Sequence, residues 1–194
     1  ITDNKGVEKR FQLPKPHEKG VALQLRRQGG ACIYMFQNQT DYPTDSLFLV
    51  AHTRGMLTTV KQLDNSSKIG KFSLTRAPEG ILNVAIVNKK GNVFCERMIY
   101  VKRGAHYTPQ IQSNQDLYGP REKVELQLTL PGRGDFALSV TDAQLVKGDS
   151  LENNIITQLL IQSELRGFIE NPNYYFTQNT TQVNEHLDLL MLTQ

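Results

Sequence analysis

Four histidines and two cysteines are the residues best suited to hold a metal or to act as base and nucleophile in this chain of 194 residues. His17, His52, His106 and His186 lie far apart from one another and from Cys32 and Cys95. No pair has the short spacing of a zinc site. The nucleophile elbow GxSxG, a phosphate-cradling glycine loop and the dinucleotide turn GxGxxG are all missing from the sequence. Carboxylates are plentiful, but without a cleft to bring two of them together none can be assigned acid–base work. The expectation is a non-enzymatic chain with no metal and no cofactor.

Other short patterns have structural explanations. Arg133-Gly134-Asp135 spells an integrin-binding tripeptide, yet Gly and Asp are also what a turn requires. Asn38-Gln39-Thr40, Asn65-Ser66-Ser67 and Asn179-Thr180-Thr181 are formal glycosylation acceptors. Cys32 and Cys95 have the separation and strand context of an immunoglobulin inter-sheet disulfide. The tryptophan that packs on such a bridge is missing, since the chain has none. Free buried thiols are the simpler reading, and the disulfide stays open.

The net charge is +3 and the pI about 8.8, with 39% hydrophobic and 21% charged residues. Basic pairs such as Arg26-Arg27, Lys89-Lys90 and Lys102-Arg103 are isolated, which argues against nucleic acid as a partner. No apolar run approaches the roughly 18 residues of a membrane helix. Ile1 reads as a processed start, and the last residues stop inside an apolar periodic run. A piece of a longer protein is expected.

The elements that would position any site are mostly strands. Residues 1–20 are polar, with Pro14 and Pro16 close together, and read as a lead-in with at most one edge strand near Phe11 to Leu13. From Val21, VALQLRR, CIYMFQNQ, DSLFLVAHT, MLTTVKQL and GKFSLTR alternate with turn signals. They lead to a hairpin, PEGILNVAIVNKKGNVFCERMIYV, turned at Asn88-Lys89-Lys90-Gly91. About seven strands without a helix signal predict a β-sandwich over 21–103.

A domain boundary is expected between Val101 and Tyr107, at the polar joint Lys102-Arg103-Gly104. The second unit, 104–194, reads as a partial sandwich. Val124, Leu126, Leu128 and Leu130 alternate with polar residues, and Phe136, Leu138 and Val140 alternate again, so Leu126, Leu128, Phe136, Leu138 and Val140 are expected in a core. After Asp149 the spacing of Leu151, Ile155, Ile156, Leu159, Leu160 and Leu165 becomes helical. Helical segments are expected near 150–166, with Ser150 as N-cap and Gly167 as stop, and near 181–193. The first would cover an open side of the second sandwich. On the second, Leu187, Leu190 and Met191 would pack partly on their own domain and partly on a docking partner. Tyr174, Tyr175 and Phe176 form a tight aromatic cluster, either a buried anchor or an exposed surface.

Gly80-Ile81, Gly91, Glu96-Arg97 and Val101 resemble the closing pattern of a macroglobulin-like domain. Tyr118, Pro120 and Val124, followed by Ser139 to Asp142, resemble the opening of the next one. The tail, from LLIQSELRGFIENPNYYF to LDLLMLTQ, is similar to bacterial cell-envelope proteins. In those, such domains precede a carboxypeptidase-regulatory-like domain and a TonB-dependent receptor plug. The resemblance covers roughly Val21 to Gln194. It implies two tandem immunoglobulin-like (macroglobulin-like) β-sandwiches, the second with a helical insertion. The thioester chemistry of alpha-macroglobulins does not carry over. Cys32 is followed by Ile33-Tyr34-Met35 and Cys95 by Glu96-Arg97-Met98, not by the CGEQ run; a shared fold does not transfer function.

The resemblance implies a structural or partner-docking module of an outer-membrane-associated receptor-like protein, in the periplasm or at the cell surface. Its partners would be adjacent domains of the same longer chain or another envelope protein. The competing expectations are a carbohydrate-binding module and an accessory domain of a secreted hydrolase.

Overall fold

The computed structural model describes residues 6–8, 10, 12, 15–103, 109–146 and 151–194. Ser150, His106, Gly104, Tyr107, Phe11 and Leu13 lie outside these residues. The chain is mainly β. Between residues 21 and 101 it forms seven strands: β1 Val21–Gln28, β2 Ala31–Asn38, β3 Leu47–Thr53, β4 Met56–Gln62, β5 Ile69–Ser73, β6 Gly80–Asn88 and β7 Val93–Val101. These are the seven runs expected from alternation and turn chemistry.

All neighbouring strands are antiparallel, in a three-stranded sheet β1-β2-β5 and a four-stranded sheet β4-β3-β6-β7. The two-residue tip Arg54-Gly55 joins β3 to β4 with φ of 49° and 77°, the paired positive angles of a hairpin turn that matches strand twist. Between β6 and β7, Gly91 takes φ 82°, and the Asn88 side chain accepts from the amides of Lys90 at 2.9 Å and Asn92 at 3.0 Å.

The inner faces share one core. Leu23, Cys32, Tyr34, Phe36 and Phe72 from the first sheet meet Leu47, Leu49, Leu82, Val84, Ile86 and Ile99 from the second. The period of two along each strand puts these residues on one face. Strand β6 is apolar on both faces. Leu82, Val84 and Ile86 point into the sandwich, whereas Ile81, equally buried, belongs to a second core on the outside of the same sheet. A strand covered on both sides reads as a near-continuous apolar run rather than a clean alternation.

The cover is the C-terminal segment. It comprises α1 Ile155–Thr157, a π turn Gln158–Gln162, α2 Tyr174–Thr177 and α3 Thr181–Leu192. The Asn154 side chain accepts from the amides of Ile156 and Thr157, while Thr157 Oγ1 accepts from the Asn154 amide at 2.8 Å, a reciprocal cap. Ile161, Leu165, Ile169, Leu187 and Met191 pack on Ile81 and Tyr100 of β6 and β7. Arg54 fastens this layer to the β3–β4 tip. Its Nε donates to Glu164 at 3.0 Å and its Nη2 to the Leu159 carbonyl.

Three expectations are corrected. The first helical run does not lie on the second unit but on β6 and β7 of the sandwich. Its stripe is also displaced. The π turn, with the Ser163 amide bonded to the Gln158 carbonyl, inserts a residue into the helical repeat. Of the expected stripe, Leu165 is buried and Leu160 packs against the second core, whereas Ile155 and Leu159 are exposed and Ile161, which was not in it, is buried. Finally, the expected second core is open to water. β8 Gln110–Ser113 and β9 Leu126–Thr129 form a two-stranded ribbon. Leu126 is 42% exposed, Phe136 59%, Leu138 50% and Val140 82%, and Leu128 is only partly covered. A two-stranded ribbon has no second layer to bury its apolar face.

Candidate functional site: a basic groove at the open edges

β1 and β7 are edge strands of the two sheets, and they run side by side where the sandwich is open. Unpaired edges attract other strands unless they are covered. Two arginines lace this opening in reciprocal fashion. Arg27 of β1 donates from Nη1 to the Tyr100 carbonyl of β7 at 2.9 Å, and Arg97 of β7 donates from Nε to the Leu23 carbonyl of β1 at 3.4 Å. Arg27 also reaches α3, where Nη2 meets Asp188 at 3.1 Å.

A groove of about 440 Å³ lies over this lacing. Arg26, Arg27 and Arg97 supply positive charge, and Asp188 is the one acid on its walls among the described residues. Leu25 and Met98 are half-buried in the floor, and Leu192 projects from α3 at 55% exposure. The buried Arg27 Nε has no hydrogen-bond partner among the described residues. A second hollow of about 400 Å³ continues along β7, with Glu96 and Glu164 beside Arg97 and Arg166. The arrangement can accept an extended, carboxylate-bearing segment with apolar side chains, because charge and apolar surface alternate along it.

The docking residues expected on α3 lie on it but face the chain's own second core. Leu187 is 1% exposed and Met191 2%, inside the chain's own second core, with Leu190 packed against it. They have little surface left for a partner. The exposed side of α3 carries Asp188, Leu189 and Leu192 instead.

The aromatic cluster divides. Phe176 turns inward and meets Tyr100 edge-on, with ring centroids 5.9 Å apart. Tyr174 and Tyr175 remain half-exposed and meet each other edge-on at 5.3 Å. Burial and then the neighbouring Tyr174 raise the Tyr175 pKa. The four-residue spacing of Tyr100 from Glu96 carries no hint that Tyr100 is the anchor for Phe176. Only the packing of α2 on β7 reveals it.

The cysteines are free, Cys32 in the inner core and Cys95 half-buried. Burial pushes the Cys32 thiol up to about 11 and also raises Cys95. Among the described residues no group of three or more His, Cys, Asp and Glu side chains could hold a metal ion. No helix among them is long and apolar enough to cross a membrane. Arg133-Gly134-Asp135 is exposed, at a bend that ends at Arg133. The groove was not foreseen, although its signal is present: Arg26-Arg27 and Glu96-Arg97 are isolated pairs in sequence that strand order brings together. No family model and no curated protein matches the chain.

Proposed function

We propose that this chain is a non-catalytic, partner-docking module of a larger outer-membrane-associated, receptor-like protein, built from tandem macroglobulin-like sandwiches. The observation that carries the docking role is the groove between β1, β7 and α3. It joins three arginines, one carboxylate and half-buried apolar side chains at two open sheet edges. Its partner is an adjacent domain of the same longer chain or another envelope protein, presenting an acidic extended segment. The placement at the cell envelope rests on the sequence resemblance.

A photo-crosslinking residue at Leu192 in the parent protein, activated in cells, tests the docking role. Mass spectrometry identifies the linked peptide, whether from the same chain or another. The expected adduct is an acidic segment, and it disappears with Arg26→Glu and Arg97→Glu. An adduct pattern unchanged by both substitutions rejects the groove as the docking site.

A further inference from the structure

We propose that the hollow between the 168–171 loop, α2 and α3 binds a neutral saccharide, independently of the docking groove. Phe168 is 92% exposed, while the next residue, Ile169, is 6% exposed and anchored in the second core. The loop therefore holds its backbone down and projects an aromatic ring into water. Isolated exposed leucines need no explanation, but a phenylalanine at the rim of a formed hollow does.

The opposite wall is rigid. Tyr174 stacks on His186 at 5.8 Å, and its hydroxyl shares a 2.8 Å hydrogen bond with His186 Nδ1. Tyr175 is held edge-on against Tyr174. These rings reach a ligand already oriented, so binding forfeits little side-chain entropy. Glu170 and Asn171 also line the hollow. Asn171 is held at φ 49°, in the left-handed region that costs a non-glycine residue energy. The hollow holds about 340 Å³, near the lower end of small-ligand sites.

The residue types choose among occupants. Among the described residues the lining contains no Lys or Arg and Glu170 is its one charge, which disfavours an anionic ligand. An apolar peptide side chain would make no use of the hydrogen-bonding groups that Glu170 and Asn171 add to the lining. A pyranose has C–H faces that suit the electron-rich faces of aromatic rings, and hydroxyls at its edge that can bond to a carboxylate and an amide.

Neutral oligosaccharides of glucose, xylose, mannose, galactose and N-acetylglucosamine are the probes, titrated individually against the whole chain and followed by NMR of the aromatic rings. At least one is expected to shift the Phe168, Tyr174 and Tyr175 signals saturably. Phe168→Ala and Glu170→Gln should each weaken that binding by about tenfold or more, about 1.4 kcal/mol. Both positions are exposed, so the fold is retained, and Leu192→Ala in the docking groove should leave binding unchanged. The absence of any ring shift across the panel up to about 10 mM overturns the proposal. So does saturable binding that Phe168→Ala leaves intact.

Discussion

Arg54 occupies a left-handed backbone position at a hairpin tip, and its side chain joins two layers of the molecule. It is 46% exposed and its partner Glu164 14%, so water screens the pair and its worth is modest. Arg54→Ala should destabilise by about 1 kcal/mol in urea unfolding. Glu164→Gln should recover part of that loss in the double variant, because the second change removes a carboxylate left without its counter-charge. At alkaline pH two buried groups act in the same direction. Burial raises the Cys32 thiol from 9.0 to about 11. Tyr100 is raised from 10.0, first by burial and then by the Glu79 charge. A folded pKa above the unfolded one means that the unfolded chain releases its proton first. The stabilisation is complete below the unfolded pKa and is lost as pH rises through the folded value. The urea midpoint should therefore begin to fall above pH 9.0, the ordinary thiol value, and fall further above 10.0, where Tyr100 joins. Cys32→Ala should flatten the first part of the decline and Tyr100→Phe the second. A midpoint unchanged across that window would show that neither group is buried in the folded chain.

Strand identity was legible because it depends on a local period. All seven strands of the sandwich lie where alternation and turn residues placed them, and the hairpin turned at Asn88 to Gly91 is the pair β6 and β7. The faces were less legible. β6 carries Ile81, Leu82, Val84 and Ile86, and nothing in the run says that Ile81 has its own cover. That information is held far along the chain, in Ile161, Leu187 and Met191. The opposite error occurred in β9. Leu126 and Leu128 alternate without a fault, but alternation shows only which residues share a face, not that another element covers it. The two strands thus make opposite predictions. Ile81→Ala should cost about 2–5 kcal/mol, since the side chain is fully buried against the helical layer. Leu126→Ala should cost less than about 0.5 kcal/mol in chemical unfolding. Equal costs would mean that the β8–β9 ribbon is covered in solution. The groove escaped the sequence for the same reason: β1, β7 and α3 supply it, and no single stretch contains it.

At the scale of the whole molecule, chain order and packing order differ. The chain completes the sandwich at β7, passes through the β8–β9 ribbon, and returns to lay its last segment on β6 and β7. The outer layer is bound by apolar contact and by long-range polar ties. Arg54 holds Glu164, and Arg27 holds Asp188 across 161 residues of sequence. Arg103 anchors the exit of β7 by donating to the Ala77 carbonyl at 3.2 Å and the Thr75 carbonyl at 3.0 Å. Arg103 of the expected polar joint is thus tied to the sandwich. Cleavage between the halves should not separate them. Limited proteolysis within the exposed 131–146 stretch should leave an N-terminal fragment that contains the sandwich and a C-terminal fragment that contains α1 to α3. These should co-elute from a sizing column in buffer and come apart in urea. Ile81→Asp should release the C-terminal fragment without urea, because the charge replaces a fully buried side chain at the centre of the contact. The reporter is hydrogen exchange on β2 and β5, which lie across the inner core from that contact. Their protection should survive loss of the C-terminal fragment, because the inner core of Leu47, Leu82 and Ile86 does not draw on it. Fragments that separate immediately in buffer would show that the outer layer is held by chain connectivity rather than by its packing on β6 and β7.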